Sequence, residues 1–359
     1  MSLVVAALVA AGMFAIVWFS RRQYQEVLEL EPASGEAAKE AQVTVIIPAR
    51  NEASHIEKCI QSLRQPQVVE ILVADDASKD KTAEVAQNAG ARVIAGPPRS
   101  VGVYGRANAC YHASHEVTTK WVLFADADTW YEPGFVAALL ERAEADRLDM
   151  IMLFPRNRFR WVSEQILTPY AWGIHFTGVS DANIYNLKHP EFLAAGRCML
   201  YRKDAYDFTG GHRAVLRLPF EDAELAKLAK RHRLRFEVMR ASRFASVSMD
   251  DSLLEIFRKF PRLSFQYLVA NTRRRWIVLS ASFLFFLYFP VLGWLLYDGQ
   301  AVAGWLFAMT PAAATYRWYR NPVMPLFSPF AILLFQFLAV YSIAAHYFGF
   351  HGWWKGRQL

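Results

Sequence analysis

The sequence predicts an α/β protein with a mostly parallel sheet covered by helices, set between hydrophobic ends that belong to a membrane. Three observations predict it. Short, continuously apolar segments recur from Val43 onward and alternate with helix-length stretches. Polar, mostly acidic residues stand at the ends of those segments. The surplus of apolar residues is gathered at the two termini. A strand buried on both faces reads as an unbroken apolar run, and alternation with helices makes neighbouring strands parallel.

The elements follow in order. VTVIIPAR, from Val43, reads as a buried strand, and residues 52–63 as a helix. EILVADD (70–76) is the next strand, 79–88 a helix and 91–95 a third strand. A helix over 105–114 leads to the strand KWVLFA (120–125). Pro133 opens a helix through GFVAALLERAEAD, and DMIMLF (149–154) is a further strand. Around Gly196-Arg197 the chain reads as a strand with a close-approach glycine, and a Gly210-Gly211 turn comes later. In such sheets a nucleotide lies in the crevice at the carboxyl ends of the strands.

The ends have a different composition. Over 359 residues the chain is 54% hydrophobic and only 20% charged, below the ~25% charged of soluble domains. That excludes a disordered chain. Three cysteines, Cys59, Cys110 and Cys198, make no disulfide framework, and no Cys/His spacing suggests zinc. Residues 3–19 form an apolar run followed at once by Ser20-Arg21-Arg22. This is long enough to cross a bilayer, and the charge placement leaves the N-terminus outside and the following chain in the cytoplasm. A cleaved signal peptide is the alternative, but its charge would precede the apolar run. The net charge of +7 is spread beside hydrophobic segments (Arg21-Arg22, Arg258-Lys259, Arg273-Arg274-Arg275). That placement suits anionic lipid rather than nucleic acid.

The expected organisation is an anchor over 1–20, a linker over 21–42, a catalytic α/β domain over 43–250, an amphipathic segment over 251–276, a hydrophobic region over 277–350 and a tail over 351–359. Apolar and basic residues at helix-like spacing fit 251–276 to the interface, or to a helix packed on the domain. Segments 277–297 and 326–350 are long enough to span, and 301–316 is shorter. Four crossings would leave the tail WKGR outside, against the charge rule, so either one segment is re-entrant or the rule fails here.

Asp126-Ala127-Asp128 directly follows a buried strand, where two carboxylates can hold a hard divalent cation such as Mg²⁺ or Mn²⁺. Alone, this pattern is equally a solvated turn. Asp75-Asp76 ends the earlier strand in the same way, although Ser78 and Asp80 after it also suit helix capping. Arg50-Asn51-Glu52 ends the first strand and joins the same rim. Glu221-Asp222 opens a helical pattern, a place favoured by the helix dipole and also fit for a general base. His175 and His212 lie near enough in sequence to approach a metal or acceptor, but packed histidines are commoner.

The order PARNE, ADDASKDKT, DAD, FED and RRRW resembles a family 2 glycosyltransferase of the GT-A fold over about residues 43–276. With its flanking apolar segments, the chain is similar to membrane-bound lipid-modifying members, the ceramide glucosyltransferases and the bacterial carotenoid- and hopanoid-associated enzymes. YGRANACYHAS and FADADTWYEPG resemble the carotenoid type. The resemblance implies roles. Pro48, Ala49, Asn51 and Glu52 line the nucleotide, and Asp75 or Asp76 contacts the base. Asp126 faces the ribose or sugar and Asp128 ligates the metal, with Asp126 as its second carboxylate. Arg106 contacts donor phosphate, Asp222 is the base, and Glu221 orients it. Arg275 and Trp276 match the Arg-Trp of the family's QxxRW element. Thr272 stands in place of its Gln, a departure from the processive polysaccharide synthases.

The expected activity is inverting transfer of a hexose from a nucleotide sugar, UDP-glucose, to a hydroxyl or carboxyl of a membrane lipid at the cytoplasmic face of the cell membrane. A polyprenyl-phosphate sugar synthase, whose acceptor needs no base, is the alternative within the class. A non-catalytic membrane scaffold is the alternative outside it.

Overall fold

The computed structural model describes residues 2–34, 41–97, 100, 102–177, 184–186, 188, 192–218, 220–249, 252–257, 272–319, 321–348, 353–354 and 357–358. The chain divides into two units. One comprises residues 27–158 and 183–248, the other 1–26, 159–182 and 249–359.

The first unit is built on β1 (Val43–Ala49), β2 (Val68–Asp75), β3 (Arg92–Ala95), β4 (Trp121–Ala125), β5 (Thr129–Tyr131), β6 (Met150–Phe154), β7 (Arg156–Phe159), β8 (Cys198–Arg202), β9 (Phe236–Arg240) and β10 (Ala245–Met249). Seven strands form one sheet in the order β3-β2-β1-β4-β8-β6-β9, and β5-β10-β7 form a second. β1 pairs in parallel with β2 and β4, whereas β8 runs antiparallel to both β4 and β6. The sheet is therefore mostly parallel and grows outward from β1 in both directions. Such a reversal opens a crevice at the carboxyl ends of β1 and β4. The β1–β4 pairing stops at Ile46↔Phe124. Two residues later comes Pro48, which has no N–H to give, and there the strands part.

The apolar runs lie where burial requires. Val43, Val45, Ile46, Ile47, Val122, Leu123 and Phe124 have no exposed surface. Two helices start later than the sequence suggests. α2 (Ile56–Leu63) begins beyond residue 52 because Asn51 adopts φ +52° and the Glu52 N–H is drawn to Thr82 Oγ1 at 2.7 Å. α3 (Thr82–Asn88) begins beyond residue 79 because Asp80 Oδ1 accepts the Thr82 N–H at 3.0 Å, closing the first turn from outside. α4 (Gly105–Ser114) and α5 (Phe135–Ala145) cover the sheet.

The second unit contains α1 (Ser2–Glu26) and α6 (Val162–Phe176). Among the described residues three of its stretches are long and apolar enough to cross a membrane: Ser2–Glu26, Trp276–Tyr297 and Met324–Ala344. Hydrogen bonds fix their order. At one end of α1, Ser2 Oγ donates to Asp298 Oδ2 at 3.0 Å and accepts from Gln300 Nε2 at 2.9 Å. At the other end, Arg21 Nη1 donates to the Arg317 carbonyl. The weaker apolar segment 301–316 therefore runs the length of α1, as two short helices, Ala301–Ala308 and Thr310–Thr315. They are separated just before Pro311, whose missing N–H breaks the ladder. Pro290 explains in the same way why Thr272–Phe286 and Tyr288–Tyr297 are two helices. Of the amphipathic segment expected over 251–276, residues 253–257 are helical, 272–276 open the helix Thr272–Phe286, and 251 and 258–271 lie outside the described residues.

Candidate active site

The rim of the crevice is assembled by backbone locks. Asp76 N–H donates to Ala49 O at 2.9 Å, Asn51 N–H to Ser78 Oγ at 3.0 Å, and Lys79 N–H to Asn51 Oδ1 at 2.8 Å. Arg50, 3% exposed, reaches beneath them with Nη1 on the carbonyls of Asp76 (2.5 Å) and Ala77 (2.8 Å). Its role is structural: it ties the ends of β1 and β2 together. Asp75 accepts from the Ser78 hydroxyl and N–H and so shapes the turn, which leaves Asp76 as the carboxylate beside α4. A Cβ on Gly105 would lie 2.2 Å from Asp76 Oδ2, so any larger residue at the first position of α4 displaces that carboxylate.

Three non-glycine residues at this rim hold left-handed backbone: Asn51 (φ +52°), Ala77 (+52°) and Phe220 (+56°). Each adjoins a candidate residue, namely Glu52, Asp76 and Glu221. Such conformations cost about 1–3 kcal/mol each and gather at functional sites.

Arg106, in the first turn of α4, is the centre of the site. Its Nη2 donates to Asp126 Oδ1 at 2.6 Å and to the Gly196 carbonyl at 2.7 Å, and its Nη1 donates to Glu221 Oε1 at 2.8 Å. The helix Glu221–Arg231 (α8, after α7 at Lys203–Phe208) carries Glu221 and Asp222 in its first turn. Gly196 is a close-approach glycine, as its sequence context suggests, because a Cβ there would lie 2.7 Å from Asp222 Cβ.

This packing separates the two adjacent carboxyls. Burial would raise both, but the Arg106 guanidinium holds Glu221 below its ordinary value. Asp222 is raised to about 6 by burial and then by the Glu221 charge. A pair pushed apart in this way suits one permanent anion and one base near neutral pH.

The loop after β4 is fixed through its backbone: Asp126 N–H donates to Arg197 O at 3.0 Å, and Ser248 N–H to Asp128 O at 2.9 Å. The Asp128 carboxylate is partly exposed, with Arg197 Nη1 3.8 Å from its Oδ2. Both Arg106 bonds to Asp126 end on Oδ1. Among the described residues no group of three or more His, Cys, Asp or Glu could hold a metal. The donor set still fits a hard cation of the Mg²⁺ type, which takes one or two carboxylates and completes its shell with phosphate and water.

Sequence reasoning missed two contributors, the bridging role of Arg106 and Gly105, whereas His212 follows the commoner expectation of a packed histidine. His212 is fully buried behind Arg106, with Nδ1 2.9 Å from Tyr206 Oη. Burial and then the Arg106 charge push its value down to about 3, so it is a neutral packing residue. Pro48, Ala49, Asn51, Glu52, Asp75, Asp76, Arg106, Asp126, Asp128, Glu221 and Asp222 all belong to this unit. Trp276 belongs to the helical unit and is 69% exposed, and the Arg275 side chain lies outside the described residues.

Residues 44–209, which carry the crevice from β1 to the turn before His212, match the sequence model of Glycosyl transferase family 2. Over this segment the chain resembles the family 2 glycosyltransferases. The chain is 29% identical over 182 residues to the 4,4'-diaponeurosporenoate glycosyltransferase of Staphylococcus aureus strain USA300, and equally to that of strain NCTC 8325. The match covers 49% of this chain, and the chain spans about half (48%) of the length of these relatives. In fold it resembles the mannosyltransferase PcManGT of Pyrobaculum calidifontis, solved with GDP-Man and Mn²⁺, at 15% identity, a TM-score of 0.53 and coverage of 97% of this chain and 98% of that one. The GT-A fold expected from the sequence is the one found.

Proposed function

We propose that this protein is an inverting hexosyltransferase that moves a sugar, glucose, from UDP-glucose to a hydroxyl or carboxyl of a membrane lipid of carotenoid, hopanoid or sphingolipid type. The observation that carries the reading is the Asp222 carboxyl, raised to about 6 beside a Glu221 held ionised by Arg106. The name of the Staphylococcus aureus relatives supports a lipid acceptor. The Mn²⁺ and GDP-Man of the Pyrobaculum neighbour support a nucleotide-sugar donor and a metal. The apolar helices support a multi-pass protein of the cell membrane with its catalytic unit in the cytoplasm.

In this reading Asn51 and Glu52 flank the nucleotide, and Asp76 takes its base. Asp128, with Asp126 beside it, would hold Mg²⁺ or Mn²⁺. That ion would supply positive charge for the leaving diphosphate. Arg106 holds Asp126 toward the sugar and keeps Glu221 charged. Asp222 removes the acceptor O–H proton as the acceptor oxygen bonds to the anomeric carbon. The bond from that carbon to the diphosphate oxygen breaks on the opposite face, and the configuration inverts.

The test is UDP release by purified protein in lipid vesicles with UDP-glucose, Mg²⁺ or Mn²⁺ and a hydroxylated lipid extract. Metal-dependent release lost in Asp128→Ala and in Asp222→Asn is the expected result. Loss in Asp128→Ala alone would assign a phosphate acceptor, which needs no base. No release with any nucleotide sugar would leave a non-catalytic scaffold.

A further inference from the structure

Two arginines follow the apolar run of α1, and they keep different company. Arg22 Nε donates to Glu26 Oε1 at 2.8 Å, so its charge is answered within the helix. Arg21 turns instead to the segment 316–319 of the same unit. Its Nη1 donates to the Arg317 carbonyl, and its guanidinium lies over the Trp318 ring, 5.9 Å from the centroid. A guanidinium carries five N–H donors, and among the described residues no carboxylate takes those that remain on Arg21. Arg317 is exposed and, among the described residues, has no acidic partner either. The two positive charges are near enough to repel one another. An anion between them would turn that repulsion into attraction.

The pair is braced from behind. Tyr24 packs on Trp318 with ring centroids 5.6 Å apart and on Trp172 at 5.3 Å. Tyr319 Oη donates to the Ile166 carbonyl at 3.1 Å, and Thr315 Oγ1 to the Pro311 carbonyl at 2.7 Å. The backbone is thereby fixed on both sides of Arg317. Along α1, Phe14, Trp18 and Arg21 follow one another at helical spacing and so share a face, on which Phe14 and Trp18 are exposed. An exposed apolar stripe that ends at arginine and tryptophan has the pattern of a membrane interface.

We propose that Arg21 and Arg317 clamp the phosphate of one anionic phospholipid, whose acyl chain runs along Phe14 and Trp18. A guanidinium fork matches phosphate oxygens two at a time. Charge selects the lipid: a zwitterionic headgroup brings its own cation, whereas an anionic one answers the unpaired arginines, and such lipids gather in the cytoplasmic leaflet. The bound lipid would tie α1 to the segment 316–319 beyond the single Arg21 bond. The proposal rests on the reading of the chain as a membrane protein and on no step of glycosyl transfer.

The test is native mass spectrometry of the full-length protein in detergent micelles, titrated with dioleoylphosphatidylglycerol or dioleoylphosphatidylcholine. The first phosphatidylglycerol should bind about tenfold more tightly than the first phosphatidylcholine. Arg21→Gln and Arg317→Gln should each weaken it about fivefold, and Arg22→Gln should leave it unchanged. Arg317→Gln alters an exposed side chain without a partner among the described residues, so it tests the clamp in a folded protein. Equal binding of the two lipids overturns the site. An equal loss in Arg22→Gln also overturns it, in favour of general surface charge.

Glycerol 3-phosphate supplies the second arm. Its binding to a protein that shows no preference for phosphatidylglycerol overturns the lipid and assigns the arginines to a soluble phosphate. The membrane reading is tested apart from the clamp, by fractionating lysed cells. Recovery of the chain in the soluble fraction overturns that reading and the lipid site with it. Recovery with the membranes, followed by equal binding of the two lipids, overturns the clamp alone.

Discussion

Arg106 Nη1 lies 2.8 Å from Glu221 Oε1, and the same guanidinium grips Asp126 Oδ1 at 2.6 Å. One cation thus joins the loop after β4 to the first turn of α8, two elements almost a hundred residues apart. Its charge keeps Glu221 ionised, and the ionised Glu221 in turn raises Asp222. The electrostatics of the site pass through this one side chain.

Removing that side chain should therefore do more than weaken donor binding. Arg106→Met leaves two carboxylates without their counter-charge, which for a largely buried pair costs about 3 kcal/mol. A lower unfolding midpoint and at least a hundredfold loss of transfer are expected. Arg106→Lys keeps a charge but lacks the planar fork needed to reach Asp126, Glu221 and the Gly196 carbonyl together. It should recover stability better than activity, and both are read from thermal melts beside UDP release.

The pH dependence follows from Asp222. A base must be unprotonated, so transfer should fall about tenfold per pH unit below about pH 6 and level off above it. The folded-state value lies above the ordinary 3.8, so the folded protein binds this proton more tightly than the unfolded chain. Its contribution to stability is therefore lost as pH rises from about 4 to about 6, and the penalty persists at pH 7. Asp222→Asn should abolish transfer and stabilise the fold at pH 7 by about 1–3 kcal/mol. A variant both inactive and less stable at pH 7 would contradict the base assignment.

The sheet was legible because strands such as VTVIIPA and WVLFA are buried on both faces and so carry an unbroken apolar signal. The acidic rim was legible because Asp76, Asp126 and Asp128 directly follow such strands. What the sequence did not disclose were contacts made across long separations. Arg106 stands in an ordinary helical pattern, and nothing near it in sequence indicates Glu221, 115 positions away. The late starts of α2 and α3 were hidden for a related reason, since Thr82 and Asn51 bond across to the neighbouring loop. Propensity counts local residues, and these bonds compete from outside the window.

Asp128 should act on the metal without supporting the fold. Its carboxylate is partly exposed, and Arg197 Nη1 stands 3.8 Å from it. Asp128→Ala should leave the melting temperature within about 1–2 °C, as for surface substitutions within ±0.5 kcal/mol. It should also abolish the increase in UDP release on adding Mn²⁺. An unchanged metal response in a folded variant would move the metal away from Asp128.

In the proposed reading two glycines separate donor binding from chemistry. A methyl on Gly105 meets Asp76 Oδ2 at 2.2 Å, whereas one on Gly196 meets Asp222 Cβ at 2.7 Å and Oδ2 at 2.8 Å. Neither glycine has a positive φ, so alanine suits the backbone of each; at Gly105 the cost falls on the Asp76 carboxylate, and at Gly196 on Asp222 Cβ and with it the first turn of α8. Gly105→Ala should push Asp76 off the nucleotide base and raise KM for the donor about tenfold with little change in kcat. Gly196→Ala should move Asp222 off the acceptor and lower kcat by 10²-fold or more, the effect of a displacement near 1 Å, with donor KM nearly unchanged. Steady-state kinetics with varied UDP-glucose reads both. The same KM effect in the two variants would mean that Asp222 belongs to the donor subsite, and the division of labour along the Arg106 bridge would have to be redrawn.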